Sequence, residues 1–273
     1  MRIVVFRSGS EGNCTFVEMG GHKMLIDAGI SCRSITGYLK QYGVNLAQIE
    51  AVLLTHIHHD HIKGLAQLMK TYVRLARRNL PLLSSANTAG NLWKLWDKKW
   101  LIEPYVFTQV DCPMRTPWQG EPTITPLRCC HDVACSGFLL GGEGEVVYIT
   151  DTGCLEARYL QRLANKDFYI FESNHDIQML RECRVYPEVL KARIASESGH
   201  LSNDYAARCL AKMVGSKTRR VVLAHISANT NTEDLALQAN RSLLRSCGFN
   251  DKNVCCAHRR DKLEVIDDTG LGL

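Results

Sequence analysis

The sequence is short of long apolar runs. No apolar run approaches the roughly 20 residues that a membrane helix needs, because charged residues, 22% of the 273, interrupt each one. The opening Met1-Arg-Ile-Val-Val-Phe-Arg7 has an early cation, but neither the apolar stretch nor the small-residue cleavage site of a secretory signal. A cytoplasmic protein is therefore expected. Twelve cysteines occur without one Cys-x-x-Cys spacing; the close groups are Cys129-Cys130, Cys135 and Cys255-Cys256. That excludes a zinc ribbon and gives no disulfide framework, so most are expected to be small buried residues with reduced thiols. There is no Pro/Ser-rich linker and no low-complexity tract, so residues 1–273 are expected to form a single domain. A strong charge of one sign is also missing. The net charge of +5 permits a polyanionic substrate without requiring one, and clusters such as Arg74/Arg77/Arg78, Arg219-Arg220 and Arg259-Arg260 suit phosphates or simply helix ends and strand edges.

What is present is an alternation of short apolar runs with amphipathic stretches, which predicts an α/β fold with sheets covered by helices. Ile3 to Phe6, Thr15 to Glu18 and Lys23 to Ile26 read as strands of a meander. A helix is predicted over Ser34 to Tyr42, a buried strand over Ala51 to Thr55, and a helix over Ile62 to Arg78. Pro81 to Ser84 reads as a strand and Thr88 to Trp100 as a Trp-rich helix whose aromatics suit either the core or an interface, and which is the candidate contact of a homo-oligomer. Gly137 to Leu140 and Glu145 to Thr150 flank a glycine-rich turn, as a hairpin would. Phe168 to Phe171, Val221 to Ala224 and Lys262 to Ile266 complete the strands. Helices are predicted over Ile177 to Ile194 despite Pro187, from the Ser202 cap to Val214, and from the Thr232 cap to Gly248.

The strongest chemical signal is Thr55-His-Ile-His-His-Asp-His61. Three imidazoles and a carboxylate at His56, His58, Asp60 and His61 follow a buried strand directly. A tight loop there can aim the first two histidines at one cation and Asp60 and His61 at another. Imidazole and carboxylate together suit a borderline divalent metal with a coordination position left open for water.

Val52-Leu-Leu-Thr-His-Ile-His-His-Asp-His-Ile-Lys-Gly64 resembles the His-x-His-x-Asp-His signature of the metallo-β-lactamase superfamily. Its other elements follow in order: His131, Asp151 in Tyr148-Ile-Thr-Asp-Thr-Gly153, and His225 in Leu223-Ala-His-Ile-Ser227. Ser8-Gly-Ser-Glu-Gly-Asn-Cys14, Phe171-Glu-Ser-Asn-His-Asp176 and Ser198-Gly-His-Leu-Ser-Asn203 resemble the YycJ/WalJ (VicX) branch, which is related to ribonuclease Z. The likeness runs from about residue 1 to 268. There is no room for a β-CASP insert, and Cys129-Cys130 before His131 departs from the branch's pattern.

The resemblance implies an αββα metallo-β-lactamase sandwich with two divalent ions, zinc or manganese. His56, His58 and His131 would hold one ion, Asp60, His61 and His225 the other, with Asp151 bridging. It further implies that His200 is a general acid held by Glu172. Histidine titrates in the right range for that role, although a loop histidine can equally be structural. Ser8, Ser10 and Asn13, in a glycine-flanked turn, and Asn174 with His175 are candidate substrate-binding residues; an ordinary turn explains the first group as well. His22, His59 and His258 have no spacing argument and read as structural or exposed.

The expected activity is a dinuclear-metal-dependent phosphodiesterase, a nuclease of the 5′-directed exonuclease kind acting on single-stranded nucleic acid. A phosphodiesterase for a small nucleotide, such as a cyclic mononucleotide, uses the same residues and stays open. A carbonyl hydrolase fits the His200 and Glu172 pairing less well, and a non-catalytic binding protein fits the full ligand set less well.

Overall fold

A computed structural model describes residues 1–96, 101–259 and 261–267. In chain order the elements begin with β1 (Arg2–Arg7), β2 (Cys14–Met19), β3 (His22–Ile26), α1 (Cys32–Gln41), β4 (Ala51–Leu53), α2 (His59–Ile62), α3 (Leu65–Ala76), β5 (Leu80–Ser85), α4 (Ala86–Leu95) and β6 (Ile102–Phe107). They continue with β7 (Thr123–Cys129), β8 (Cys135–Gly141), β9 (Glu145–Ile149), α5 (Ala157–Arg162), β10 (Phe168–Glu172), α6 (Ile177–Glu182), α7 (Glu188–Ile194) and α8 (Asn203–Met213). The chain closes with β11 (Arg220–Ala224), α9 (Glu233–Ser246), β12 (Val254–Cys256) and β13 (Leu263–Asp267). The strands form a seven-stranded sheet ordered β13-β1-β2-β3-β4-β5-β6 and a six-stranded sheet ordered β12-β11-β10-β9-β8-β7. The expected α/β class with two sheets is what the chain adopts.

By contacts the chain divides into two compact units. One comprises Met1–Leu127, Gly141–Glu143 and His258–Leu273; the other comprises Arg128–Leu140 and Gly144–Ala257.

In the first unit the apolar positions of β1 and β2 alternate with positions facing the opposite side, yet both faces are buried. The core gathers Phe6, Phe16, Leu25, Val52 and the inner face of α3. Leu65, Leu68, Met69 and Tyr72 on that face are fully buried, each contributing about 1.5–3 kcal/mol. α3 starts three residues later than expected because Gly64 follows the short α2, and Arg77 ends it in the left-handed region. The pairing of β3 with β4 is parallel and in step, Ile26 opposite Leu53. The residues that leave these two strands, Asp27 and Leu54-Thr55, therefore emerge side by side.

The second unit repeats the device with parallel strands. β9, β10 and β11 are buried along almost their whole length, as continuous apolar strands of a covered parallel sheet should be. Ile149 lies opposite Phe171, and Glu172 opposite Ala224. Their carboxyl ends thus deliver Asp151, Glu172 and His225 to one edge, where open α/β sheets generally place their chemistry. α8 begins at the expected Ser202 cap, whose hydroxyl accepts from Tyr205 N–H at 3.2 Å, and α9 at Thr232.

Pro187 does not sit inside one helix. It caps α7, so the predicted stretch Ile177 to Ile194 is two helices, α6 and α7, as a proline without an N–H requires. Sequence patterning also missed β6, β12 and α5. The end of the predicted Trp-rich helix, Asp97 to Trp100, and Arg260 lie outside the described residues. All twelve cysteines are free and six are buried. Among the described residues, no helix is long and apolar enough to cross a membrane.

Candidate metal centre

In the first unit the histidine run leaves β4 through Leu54 and Thr55, and His58 stands at the N-terminus of α2. His56 and His61 are fully buried, their ring centroids 4.0 Å apart; His58 lies 4.7 Å from His56. Buried imidazoles need partners, and a residue the sequence reading passed over supplies them. Asp27, fully buried at the end of β3, accepts from Thr55 N–H at 2.9 Å, from the Thr55 hydroxyl at 2.9 Å through Oδ2, and from His61 Nδ1 at 2.7 Å. Thr55 Oγ1 also meets His56 Nδ1 at 3.0 Å. Burial pushes the Asp27 carboxyl above its ordinary value, and the His61 charge with the hydrogen bonds from His61 and Thr55 offsets this only in part.

The backbone closes on itself here. Asn13 N–H donates to Asp60 O at 2.8 Å and Ala28 N–H to His61 O at 2.9 Å. A Cβ on Gly29 would stand 1.6 Å from Asp60 O, and one on Gly64 1.9 Å from Ile30 O, so only glycine allows this approach. Asn13 is itself buried. Its Nδ2 lies 3.2 Å from Asp60 Oδ2 and 2.9 Å from His61 Nε2. Ser8 is buried as well, while Ser10 is exposed on the turn.

In the second unit Glu172 is the organising group. It is fully buried and accepts five hydrogen bonds: from the backbone N–H of Asp151, Thr152 and Leu201 at 3.1, 3.1 and 3.0 Å, and from Nδ1 of His200 at 2.8 Å and of His225 at 2.9 Å. Burial pushes its carboxyl up, but the charges and hydrogen bonds of His200 and His225 outweigh that and hold it well below the usual carboxylate range. Asp151, Glu172, His200 and His225 each bring one ligand-type atom within 4.8 Å of the others. His225 Nε2 is 3.4 Å from Asp151 Oδ1. Asn174 braces His225, its Nδ2 donating to His225 O at 2.8 Å.

His131 follows β7 and its Nδ1 donates to Gly199 O at 3.2 Å. Burial holds it below the ordinary imidazole value, the Asp151 charge counteracting in part. His175 is buried, and burial lowers it to about 4. Behind β10 lies a network with no sequence signal: Asn203 and Asn231 exchange amide hydrogen bonds at 2.9 Å, and Asn231 also donates to Ser173 O and Asn174 O at 3.0 Å. His22 is structural, on Glu50 at 2.8 Å and stacked on Trp118.

Three non-glycine residues that leave strand ends, Asp27, Asp151 and His225, have φ of 60, 55 and 56°. Backbone of this kind costs roughly 1–3 kcal/mol per residue and gathers where side chains must be aimed. The imidazoles share one orientation too. His56, His61, His131 and His225 each engage a hydroxyl, carboxylate or carbonyl through Nδ1, leaving Nε2 as the lone-pair atom. Ligand histidines are oriented by outer partners in this way, so the donor set fits divalent cations.

A model of the beta-lactamase superfamily domain matches residues 22–226. The chain belongs to the metallo-β-lactamase superfamily. Within it the chain belongs to the YycJ/WalJ branch and is a metal-dependent hydrolase. It is 32% identical over 247 residues to Exodeoxyribonuclease YycJ of Bacillus anthracis, covering 90% of this chain and 89% of that protein. It is 30% identical over 234 residues to Exodeoxyribonuclease WalJ of Streptococcus pneumoniae serotype 2 strain D39, covering 85% and 84%. Among solved structures, the metallo-beta-lactamase fold protein YhfI from Bacillus subtilis superposes with a TM-score of 0.73 at 21% identity, covering 97% of this chain and 100% of that one. That likeness carries the fold.

Proposed function

We propose that the chain is a cytoplasmic, dinuclear-metal-dependent phosphodiesterase that shortens single-stranded nucleic acid from its 5′ end, with residues 1–273 acting as one metallo-β-lactamase-fold domain. The observation that carries this reading is the hydrogen bond between the sealed Glu172 carboxylate and Nδ1 of His200. The His200 side chain is 20% exposed while that of Glu172 is not exposed at all, so His200 is the one of the pair that can reach a substrate. A nucleotide's leaving alkoxide is a poor leaving group and needs a proton as the ester bond breaks. His200 would give it from Nε2, with Glu172 fixing the ring.

In this reading His56, His58 and His131 would hold one divalent ion and Asp60, His61 and His225 the other, zinc or manganese, with Asp151 as a further ligand. When bound, such a pair lowers the pKa of a water and neutralises charge on a phosphodiester. Asp60 would orient the attacking water, and Asn13, whose Nδ2 donates to Asp60 Oδ2 at 3.2 Å, orients Asp60. Of the candidate substrate residues, Ser10 is exposed and would take the phosphate, while Ser8, Asn13, Asn174 and His175 are buried. Both curated relatives are named exodeoxyribonuclease, which supports DNA as the polymer. The twelve free thiols suit a reducing compartment.

The test is a substrate panel with zinc and with manganese: 5′-phosphorylated single-stranded DNA and RNA, cyclic mononucleotides, and bis(p-nitrophenyl) phosphate. Cleavage of the generic diester and of single-stranded DNA supports the reading. Turnover of cyclic mononucleotides alone would replace the polymer with a small nucleotide.

A further inference from the structure

The departure of Cys129-Cys130 from the family pattern has a structural counterpart. Cys129, the last residue of β7, is buried and turned towards Gly137, where a Cβ would lie 3.4 Å from its Sγ. Cys130 is instead half-buried, and so is Cys154. Their backbones are stitched together: Gly153 N–H donates to Cys130 O at 2.8 Å, Cys130 N–H donates to Thr152 Oγ1 at 3.0 Å, and that hydroxyl donates to Cys154 O at 2.6 Å. The Cys130 side chain is near enough to the Cys154 thiol to help raise it. One hydroxyl thus joins the two cysteine backbones and holds the two loops side by side.

We propose that Cys130 and Cys154 form a reversible disulfide under oxidation, a modification site that clamps the loop carrying His131 to the loop carrying Asp151. The functional consequence rests on the metal assignment above; the disulfide itself does not. The oxidant is a low-molecular-weight disulfide such as oxidised glutathione. The Cys130 sulfur, its proton passed to water, attacks one glutathione sulfur and expels the first glutathione thiolate. The Cys154 sulfur, likewise deprotonated, attacks Cys130 Sγ and expels the second. Two electrons pass from the cysteine pair to the glutathione disulfide, and the two expelled thiolates take up the two protons. Disulfides of this transient kind are the ones found in reducing compartments. Burial first, and then the nearby Cys130, push the Cys154 thiol up to about 12. The other adjacent pair, Cys255-Cys256, sits on β12, where successive side chains point to opposite faces and cannot meet.

The experiment treats the full chain with oxidised glutathione, alkylates the remaining thiols and maps the peptides by mass spectrometry. The expected result is one cross-linked peptide pair joining Cys130 to Cys154, lighter by the two hydrogens lost and restored by dithiothreitol. The cross-link is absent from Cys130→Ser and from Cys154→Ser, and present in a Cys209→Ser control. In Cys154→Ser, Cys130 should be recovered as a glutathione adduct, which shows that the variant is folded and the first thiol still reactive. Alkylation of both cysteines after oxidation of the wild type, or bridging of either to another cysteine, overturns the proposal. If the cross-link forms and the diesterase rate is unchanged, the disulfide stands and the clamp on the metal ligands is overturned.

Discussion

Glu172 accepts a hydrogen bond from His200 Nδ1 at 2.8 Å while its own carboxylate is sealed from solvent. The same oxygen accepts from His225 Nδ1 at 2.9 Å. One buried carboxylate thus orients both a candidate metal ligand and a candidate proton donor, and its isosteric replacement should damage both roles. Glu172→Gln is expected to lower metal affinity by about 10–100-fold and to reduce the diesterase rate further at saturating metal. Calorimetric metal titration and steady-state kinetics separate the two. A variant with unchanged affinity and rate would remove Glu172 from the account.

His200→Ala should discriminate between substrates by their leaving groups. On a DNA strand, whose alkoxide must be protonated, the rate is expected to fall by about 10²–10⁴-fold. On bis(p-nitrophenyl) phosphate, whose phenolate leaves unaided, the loss should be far smaller. Equal losses on both substrates would make His200 a binding residue instead.

Asp27→Ala withdraws the acceptor from three buried donors, Thr55 N–H, Thr55 hydroxyl and His61 Nδ1. Unsatisfied buried donors and the loss of a buried charge partner cost about 2–4 kcal/mol together. Urea unfolding of the metal-free protein reads this directly, and Asp27→Asn, which keeps an acceptor, should recover part of it. Equal stability of Asp27→Ala and wild type would mean that the network is dispensable.

The pH dependence of stability should carry a contribution from His175. Its folded pKa, lowered to about 4 by burial, lies below the ordinary histidine value of about 6.5, so the fold holds the neutral ring. The stability tied to this group is fully present above pH ~6.5 and is lost as pH falls towards 4. His175→Gln, which cannot titrate, should lose less stability than the wild type between pH 7 and 5 in urea melts. Parallel losses in the two proteins would contradict this.

The candidate metal-binding run of the first unit was legible because His56, His58, Asp60 and His61 lie within six residues and directly follow a buried apolar strand. Spacing alone could not join Glu172 to His200, which are 28 residues apart; family likeness suggested the pair, and the Leu201 N–H that donates to Glu172 at 3.0 Å holds the neighbouring His200 there. Asp27 went unread because an aspartate before Ala-Gly looks like a turn, and only its burial shows otherwise. Asn203 and Asn231 hid for the same reason: asparagine signals loops, whereas here the pair is buried and Asn231 satisfies the backbone of Ser173 and Asn174. β6 escaped because Pro104 and an exposed central stretch blur its pattern, as edge strands tolerate. β12 is three residues long and carries almost no period.

The most direct measurement follows 5′-phosphorylated, 3′-labelled single-stranded DNA with metal-loaded wild type and Asp60→Ala. The account predicts a ladder of progressively shorter strands that keep the 3′ label with the wild type, and an intact strand with Asp60→Ala. A strand left intact by folded, metal-loaded wild type in excess over substrate would contradict it.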